Sequence, residues 1–332
     1  MTTPFPLLRL PRLALIPVFE HMKPIEIIAF SLLSNKAENL VKMLCKITAG
    51  SIDVVVRSRY PRITINLGDG TLVELSLYTE RGPDVGNKMI QNKTISCEKG
   101  SLTVAKLVER IASVTSCESL EYVELRGPLQ LEVCNTLTQL TELGTLAVMD
   151  DCSDSFAKKA FEIVSTVATE ITLYRIPFET RHEFQNFLKS NLNSLYFYSC
   201  FSKFTLDDLL VTNALKLKLR QVKLSARVIS QFLTNWFHSK CDSRLEHLTL
   251  RISDVFNETR IPEVLNAVPF PRNRERTFRY SKKLDTLSES FRGGYDIKRT
   301  DGKKATIVFG AFYGGTLFDF YVWPCYSVFR FV

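Results

Sequence analysis

The chain is short of the residues that carry most enzyme chemistry. Its 332 residues include four histidines, His21, His182, His238 and His247, and none pairs with a cysteine or carboxylate at metal-ligand spacing. No metal site and no cofactor is expected. Paired acids occur as Asp150-Asp151 and Asp207-Asp208, but acids favour helix N-termini, and both pairs read as solvated acids of a turn or helix start. Gly68-Asp69-Gly70 and Gly293-Gly294 lack the surroundings of a phosphate-binding loop and read as turns. With no catalytic constellation, the chain is not expected to be an enzyme.

Long apolar runs are missing too. No stretch approaches the ~20 uninterrupted apolar residues that a membrane span requires. Leu13 to Phe19 follows Arg9 and Arg12 as a secretory leader would, but Pro11 and Pro17 interrupt it and no small-x-small site follows before Glu20. Cys45, Cys97, Cys117, Cys134, Cys152, Cys200, Cys241 and Cys325 are scattered singly, without Cys-x-x-Cys, the pattern of buried thiols rather than a disulfide framework. An intracellular protein, cytoplasmic or nuclear, with no membrane partner is expected. The sequons Asn92-Lys93-Thr94 and Asn257-Glu258-Thr259 carry no meaning in that setting.

What is present is an ordinary soluble composition, 45% hydrophobic and 23% charged, in a chain long enough for two or more domains. The net charge of +8 raises nucleic acid as a partner. The basic residues are densest at Arg272, Arg274, Arg276, Arg279, Lys282 and Lys283, where a solvated linker over 269–283 explains them as well, and only Phe278 and Tyr280 interleave them. Nucleic acid is therefore the weaker reading. Lys216, Lys218 and Arg220 alternate on an expected strand and line one sheet face, a better candidate for contacting an acidic protein.

The N-terminus is the most informative segment. Pro24 stands where a helix should start, because proline has no N–H to waste there. Ile25, Ile28 and Leu32 share one face while Ile27 and Phe30 lie off it, so this short helix is apolar almost all round. Asn35 with Glu38 has capping-box spacing, followed by Ala37, Leu40, Val41 and Leu44 at amphipathic spacing. Helices over Leu13 to Met22, from Pro24, and from Asn35 to Thr48 cannot hide this much apolar surface among themselves. They need a partner.

The entry Phe5-Pro6-Leu7 with Leu10-Pro11, the aliphatics Leu15, Val18 and Phe19, Met22-x-Pro24-x-x-Ile27-Ile28-x-Phe30-Ser31-Leu32, and Ser34-x-x-Ala37-x-x-Leu40-Val41 resemble an F-box. The opening looks most like the F-boxes of the large nematode family that carries an F-box-associated domain. The sequence departs from the commoner pattern in two places: no acid follows Leu10-Pro11, and Leu40-Val41-Lys42 replaces a late aromatic. The resemblance implies that residues 5–48 dock on a Skp-family adaptor, and through it on a cullin. The contacts would come from Phe5, Pro6, Leu7, Leu10, Pro11, Ile27, Ile28, Ser31, Leu32, Ala37, Leu40 and Val41.

A repeat follows. An aliphatic-x-x-aliphatic-x-aliphatic hexad starts at Leu120, Leu143, Ala168, Leu192, Ala214 and Leu245, a spacing in the range of leucine-rich repeats apart from the last step. Helical faces fill the intervals: Phe156, Ala160, Val164 and Val167 after Asp154, and Ile229, Phe232, Leu233 and Trp236 after Ser225. Within 191–253, Leu206-Asp207-Asp208-Leu209-Leu210, Leu217-Lys218-Leu219, Phe232-Leu233-x-x-Trp236 and Arg244-Leu245-Glu246-His247-Leu248 resemble the F-box-associated domain of the same family.

The expected fold is α/β: a three-helix F-box, then an irregular leucine-rich-repeat-like α/β solenoid over 115–260, flanked by small β-meanders at 51–114 and 284–332. Both meanders carry an Asp-Gly turn signal, Asp69-Gly70 and Asp301-Gly302. Residues between the aliphatics face outward, among them Tyr122, Tyr196, Lys216, Lys218, His247 and Thr249. The expected function is substrate recognition for a Skp-cullin-F-box ubiquitin ligase. Its protein client would contact Tyr122, Tyr196, Lys216 and Lys218. An α/β repeat scaffold without a ubiquitin connection is the alternative.

Overall fold

The computed structural model describes residues 10–57, 61–78, 94–98, 103–117, 119–198, 204–220, 224–240, 244–252, 254–312 and 314–324. The expected adaptor contacts Phe5, Pro6 and Leu7 lie outside them. The chain divides into two compact units, one of Met1–Gly144 with Asp151–Val164, the other of Thr145–Asp150 with Ser165–Val332. Among the described residues, no helix is long and apolar enough to cross a membrane.

The first unit begins with α1 (Arg12–His21), α2 (Pro24–Ser31) and α3 (Asn35–Leu44). Pro24 is the first helical residue of α2, and Glu26 accepts the orphan Lys23 N–H at 2.7 Å. The cap of α3 is Ser34, whose hydroxyl accepts from the Ala37 N–H, and not Asn35. Serine one position earlier wins because its short side chain reaches the N3 amide directly. The helix also stops at Leu44, since Cys45 is already extended, short of the expected Thr48.

Strands β1 (Ala49–Val56), β2 (Arg62–Leu67) and β3 (Leu72–Tyr78) pair antiparallel in sequence order. Gly70 has the positive φ of +80° that the turn between β2 and β3 demands, and Asp69 accepts the Thr71 N–H. β4 (Thr94–Glu98) runs parallel to β3, and β1 runs parallel to β5 (Leu120–Leu125). Helices α4 (Val104–Thr115), α5 (Leu131–Leu137) and α6 (Asp154–Val164) complete the unit. Ser153, rather than Asp154, supplies the hydroxyl that caps α6.

The second unit alternates strand and helix: β6 (Leu143–Val148, mostly in this unit), β7 (Ala168–Leu173), α7 (Arg181–Lys189), β8 (Ser194–Phe197), α8 (Leu206–Val211), β9 (Lys216–Leu219), α9 (Ala226–Phe237) and β10 (His247–Ile252). Strands β7 to β10 are consecutive neighbours and all parallel. Their aliphatics, Ile171, Leu173, Leu195, Phe197, Leu217, Leu219, Leu248 and Leu250, are buried, and Phe184 of α7 meets Phe197 edge to face. The structure therefore contains a mixed α/β fold with N-terminal helices and extensive parallel sheet.

Among the described residues the C-terminal segment is mostly sheet. β11 (Val268–Arg279), β12 (Ser288–Lys298), β13 (Lys304–Phe312) and β14 (Gly315–Val322) form an antiparallel meander whose last strand pairs with β10. The linker expected over 269–283 is thus mostly strand β11. Prolines 269 and 271 misdirect the sequence reading because β11 is an edge strand, where a missing N–H costs little. Its register shifts between Phe270 and Glu275. Opposite that shift lie Gly293 and Gly294, expected as a turn but found inside β12 at φ +72° and +135°. A Cβ at Gly294 would sit 2.6 Å from the Ile307 carbonyl oxygen. Gly294→Ala is expected to destabilise the protein by about 2 kcal/mol, combining a forbidden φ with that clash, as read from its thermal midpoint.

Candidate interaction surfaces

In the helical unit, Phe19 and Phe30 meet edge to face at 5.3 Å, and Leu15, Ile27, Ala37 and Val41 pack with them. Val114 of α4 belongs to the same cluster. Arg110 of α4 donates to the Leu32 carbonyl at 3.3 Å, bonds Asn35, and lies 3.5 Å from Glu38. Part of the covering that the three helices need is therefore supplied by their own chain. Ile28, Ser31, Ala37 and Val41 have no exposed surface at all, and Ile27 and Leu32 are buried. In this fold they are not part of the exposed surface, and Ile27, Ala37 and Val41 belong to the cluster that joins the helices. Leu10 and Leu40 are half-buried over the cluster, and Pro11 is exposed. Leu13, Leu33 and Met43 are exposed at 80%, 67% and 54%, and the sequence gives no direct sign of it because burial depends on where α4 packs.

Tyr122 lies in the same unit, its hydroxyl 3.2 Å from Glu124. Glu124 is in turn paired with Arg126 at 2.6 Å.

In the second unit the sheet face away from the helices carries the other expected residues. Tyr196 and Lys218 are register partners on β8 and β9, with the Lys218 ammonium 4.9 Å from the Tyr196 ring centre. Lys216 is different. Its ammonium bonds Glu289 of β12 at 2.9 Å and lies over the Tyr280 ring, and only 15% of its side chain is exposed. Burial alone would raise the Glu289 carboxyl, but the Lys216 hydrogen bond and charge outweigh it and hold the group below the usual range. His247, expected to face outward into solvent, is buried: it stacks on Tyr321 at 4.2 Å and lies 2.5 Å from the Tyr280 hydroxyl and 3.1 Å from Asp319. Desolvation pushes the Tyr280 and Tyr321 phenols far above their ordinary range. The cause of both corrections is the C-terminal segment, whose Phe278, Tyr280, Leu284 and Phe291 form an apolar cluster with Leu215, Tyr321 and Trp323 over this end of the face.

Of the acids at 207–208, both in the first turn of α8, Asp207 is exposed as expected and Asp208 is not. Asp208 is fully buried and accepts from the Thr205 N–H at 2.8 Å, from Arg181 at 2.8 Å and from Gln185 at 3.3 Å. It is a capping-box acid turned inward, tying α8 to α7.

A family model described as F-box domain matches residues 7–48, and one described as F-box associated matches residues 183–250. This chain is an F-box protein with an F-box-associated domain. The F-box spans α1 to α3, and the associated domain runs from α7 to β10, beginning before the expected residue 191. Both modules mediate interactions rather than chemistry, and an F-box implies, in general, an adaptor role in ubiquitin ligases of the Skp-cullin-F-box type. No curated protein and no solved structure shows significant similarity to the chain.

Proposed function

We propose that this F-box protein is the substrate-recognition subunit of a Skp-cullin-F-box ubiquitin ligase. The F-box docks on the Skp-family adaptor and through it on a cullin, and the strand–helix units of the second unit hold a protein client. The observation that carries this is the pairing, in order, of an F-box at 7–48 with an F-box-associated region at 183–250. The subunit's contribution is proximity: tethering a client beside the charged ubiquitin enzyme raises the effective concentration of its lysines. Phe5, Pro6, Leu7, Leu10, Pro11 and Leu40 remain proposed adaptor contacts, joined by the exposed Leu13, Leu33 and Met43.

The test uses side chains that the fold does not need. In the full chain co-expressed with a Skp-family adaptor, Leu13→Asp with Leu33→Asp is expected to weaken the complex by about 3 kcal/mol, roughly a hundredfold. Circular dichroism should stay unchanged, since both positions are solvent-exposed. Undiminished co-purification would defeat the adaptor reading and favour a scaffold unconnected to ubiquitin.

A further inference from the structure

Tyr174, Tyr198 and Arg220 each stand one residue beyond the end of a parallel strand, and their N–H groups donate to Val148, Leu173 and Phe197 at 2.9, 2.9 and 3.0 Å, continuing the ladder. Arg251 follows the Leu219–Leu250 pair on β10 and extends the same row. The row is packed: Tyr174 stacks on Tyr198 with ring centres 4.6 Å apart, the Arg220 guanidinium lies 4.4 Å from the Tyr198 ring centre, and that of Arg251 lies 4.1 Å from the Phe312 ring centre. Tyr196 and Lys218 sit two residues back on β8 and β9, on the same face.

The charges here are unbalanced. Elsewhere in this unit Lys216, Arg181, Arg276, Arg292 and Arg299 all hold carboxylates, namely Glu289, Asp208, Asp296, Glu275 and Asp301. Among the described residues Lys218, Arg220 and Arg251 hold only aromatic rings, and Arg220 Nε is a buried donor without an acceptor. The acids of the same face do not serve them. Glu170 accepts from Thr172 and Ser194, and Asp319 is held by Thr249 and His247.

We propose that this face, from Tyr174 and Tyr198 across Lys218 and Arg220 to Arg251, is the docking surface for an extended, acidic segment of the client protein. The proposal rests on the reading that the second unit receives a client, and it specifies that client's chemistry. Lys218 on β9 and Arg220 just past its end are two residues apart along the continued ladder, about 7 Å, which is the repeat of every second side chain in an extended peptide. Alternating carboxylates match that spacing. A single-stranded nucleic acid fits less well, because it needs open aromatic faces for its bases. Tyr198 has none, being held between Tyr174 just past β7 and Arg220 just past β9. A guanidinium stacked on a ring still presents its N–H edge, the geometry for paired bonds to a carboxylate.

The experiment titrates the full chain into a fluorescein-labelled dodecapeptide of alternating glutamate and serine, reading anisotropy at low salt. Parallel titrations use an alternating lysine–serine peptide and a twelve-nucleotide oligothymidine. The glutamate peptide is expected to bind, to weaken with added salt, and to bind about tenfold or more weaker to Lys218→Glu, Arg220→Glu, Arg251→Glu. If that variant misfolds by circular dichroism, the corresponding glutamine triple variant is used and should show a smaller loss in the same direction. No binding of the glutamate peptide, binding unchanged in the folded triple variant, or tighter binding of the oligothymidine would each overturn the proposal. The Leu13→Asp, Leu33→Asp variant separates the two readings. If the charge-reversed protein alone loses the peptide while the F-box variant keeps it, this surface stands whatever becomes of the adaptor. If adaptor binding holds but the peptide never binds, only this proposal fails.

Discussion

Ile28→Asp is expected to unfold the helical unit rather than merely weaken a contact. Ile28 lies on α2 with no exposed surface, so the new carboxylate would be buried without a partner. Such a change costs roughly 3–5 kcal/mol even after the surroundings relax, a large share of the stability of any domain. The F-box matched at 7–48 would then fail to capture an adaptor for the wrong reason. The measurement that separates the causes is limited proteolysis of the full chain beside adaptor co-purification. Cleavage within α1 to α3 should accompany the lost binding in Ile28→Asp, and be absent from Leu13→Asp with Leu33→Asp. A protease-resistant Ile28→Asp protein would show that this position is not the core residue described here.

The second large effect is expected at Phe320→Ala. Phe320 on β14 is fully buried and meets Phe232 and Trp236 of α9 edge to face, at 5.7 and 5.1 Å. Removing the ring leaves a cavity between the last helix of the F-box-associated domain and a strand beyond its match, at a cost of about 3–5 kcal/mol. For a unit of this size that lowers the thermal midpoint by roughly 10 °C. The consequence reaches past one residue. A fragment ending at residue 250, where the family match ends, would expose the apolar face of α9 and the buried His247, and is expected to be insoluble. Differential scanning fluorimetry of the point variant and expression of the fragment check both; a soluble, cooperatively melting fragment would show that the C-terminal meander is dispensable.

Local signals read well wherever one short-range rule was decisive. Pro24 at a first helical position, the Asp69-Gly70 and Asp301-Gly302 turns, the hexad aliphatics and the Ser225-capped helix bearing Trp236 all sit where spacing placed them. Misreadings cluster where two rules compete. Asn35 and Ser34 both satisfy a cap, and the backbone chose the one whose oxygen reaches the Ala37 amide. Prolines 269 and 271 with their arginines resemble a linker, yet edge strands tolerate both features, and Arg276 finds Asp296 across the pair at 2.6 Å.

The candidate site was legible by half. Alternation along a strand was enough to put Tyr196, Lys218 and Arg220 on one face, because side chains on a pleated backbone must alternate. It carries no information about what lies over that face. Lys216 and His247 obey the same alternation as Lys218, and they are lost to solvent because Phe278, Tyr280 and Glu289, more than thirty residues later in the chain, fold onto them. The same holds in the helices, where the apolar spacing of Ile28 and Leu40 looks alike but the fold buries the first fully and leaves the second half-buried. By itself the sequence determined the module order, the strand and helix periods and the side of the sheet each residue faces, since these follow from neighbours within a few positions. Which of those surfaces remain open was decided only by tertiary structure, because coverage depends on contacts between segments far apart in the chain, and no local period encodes them.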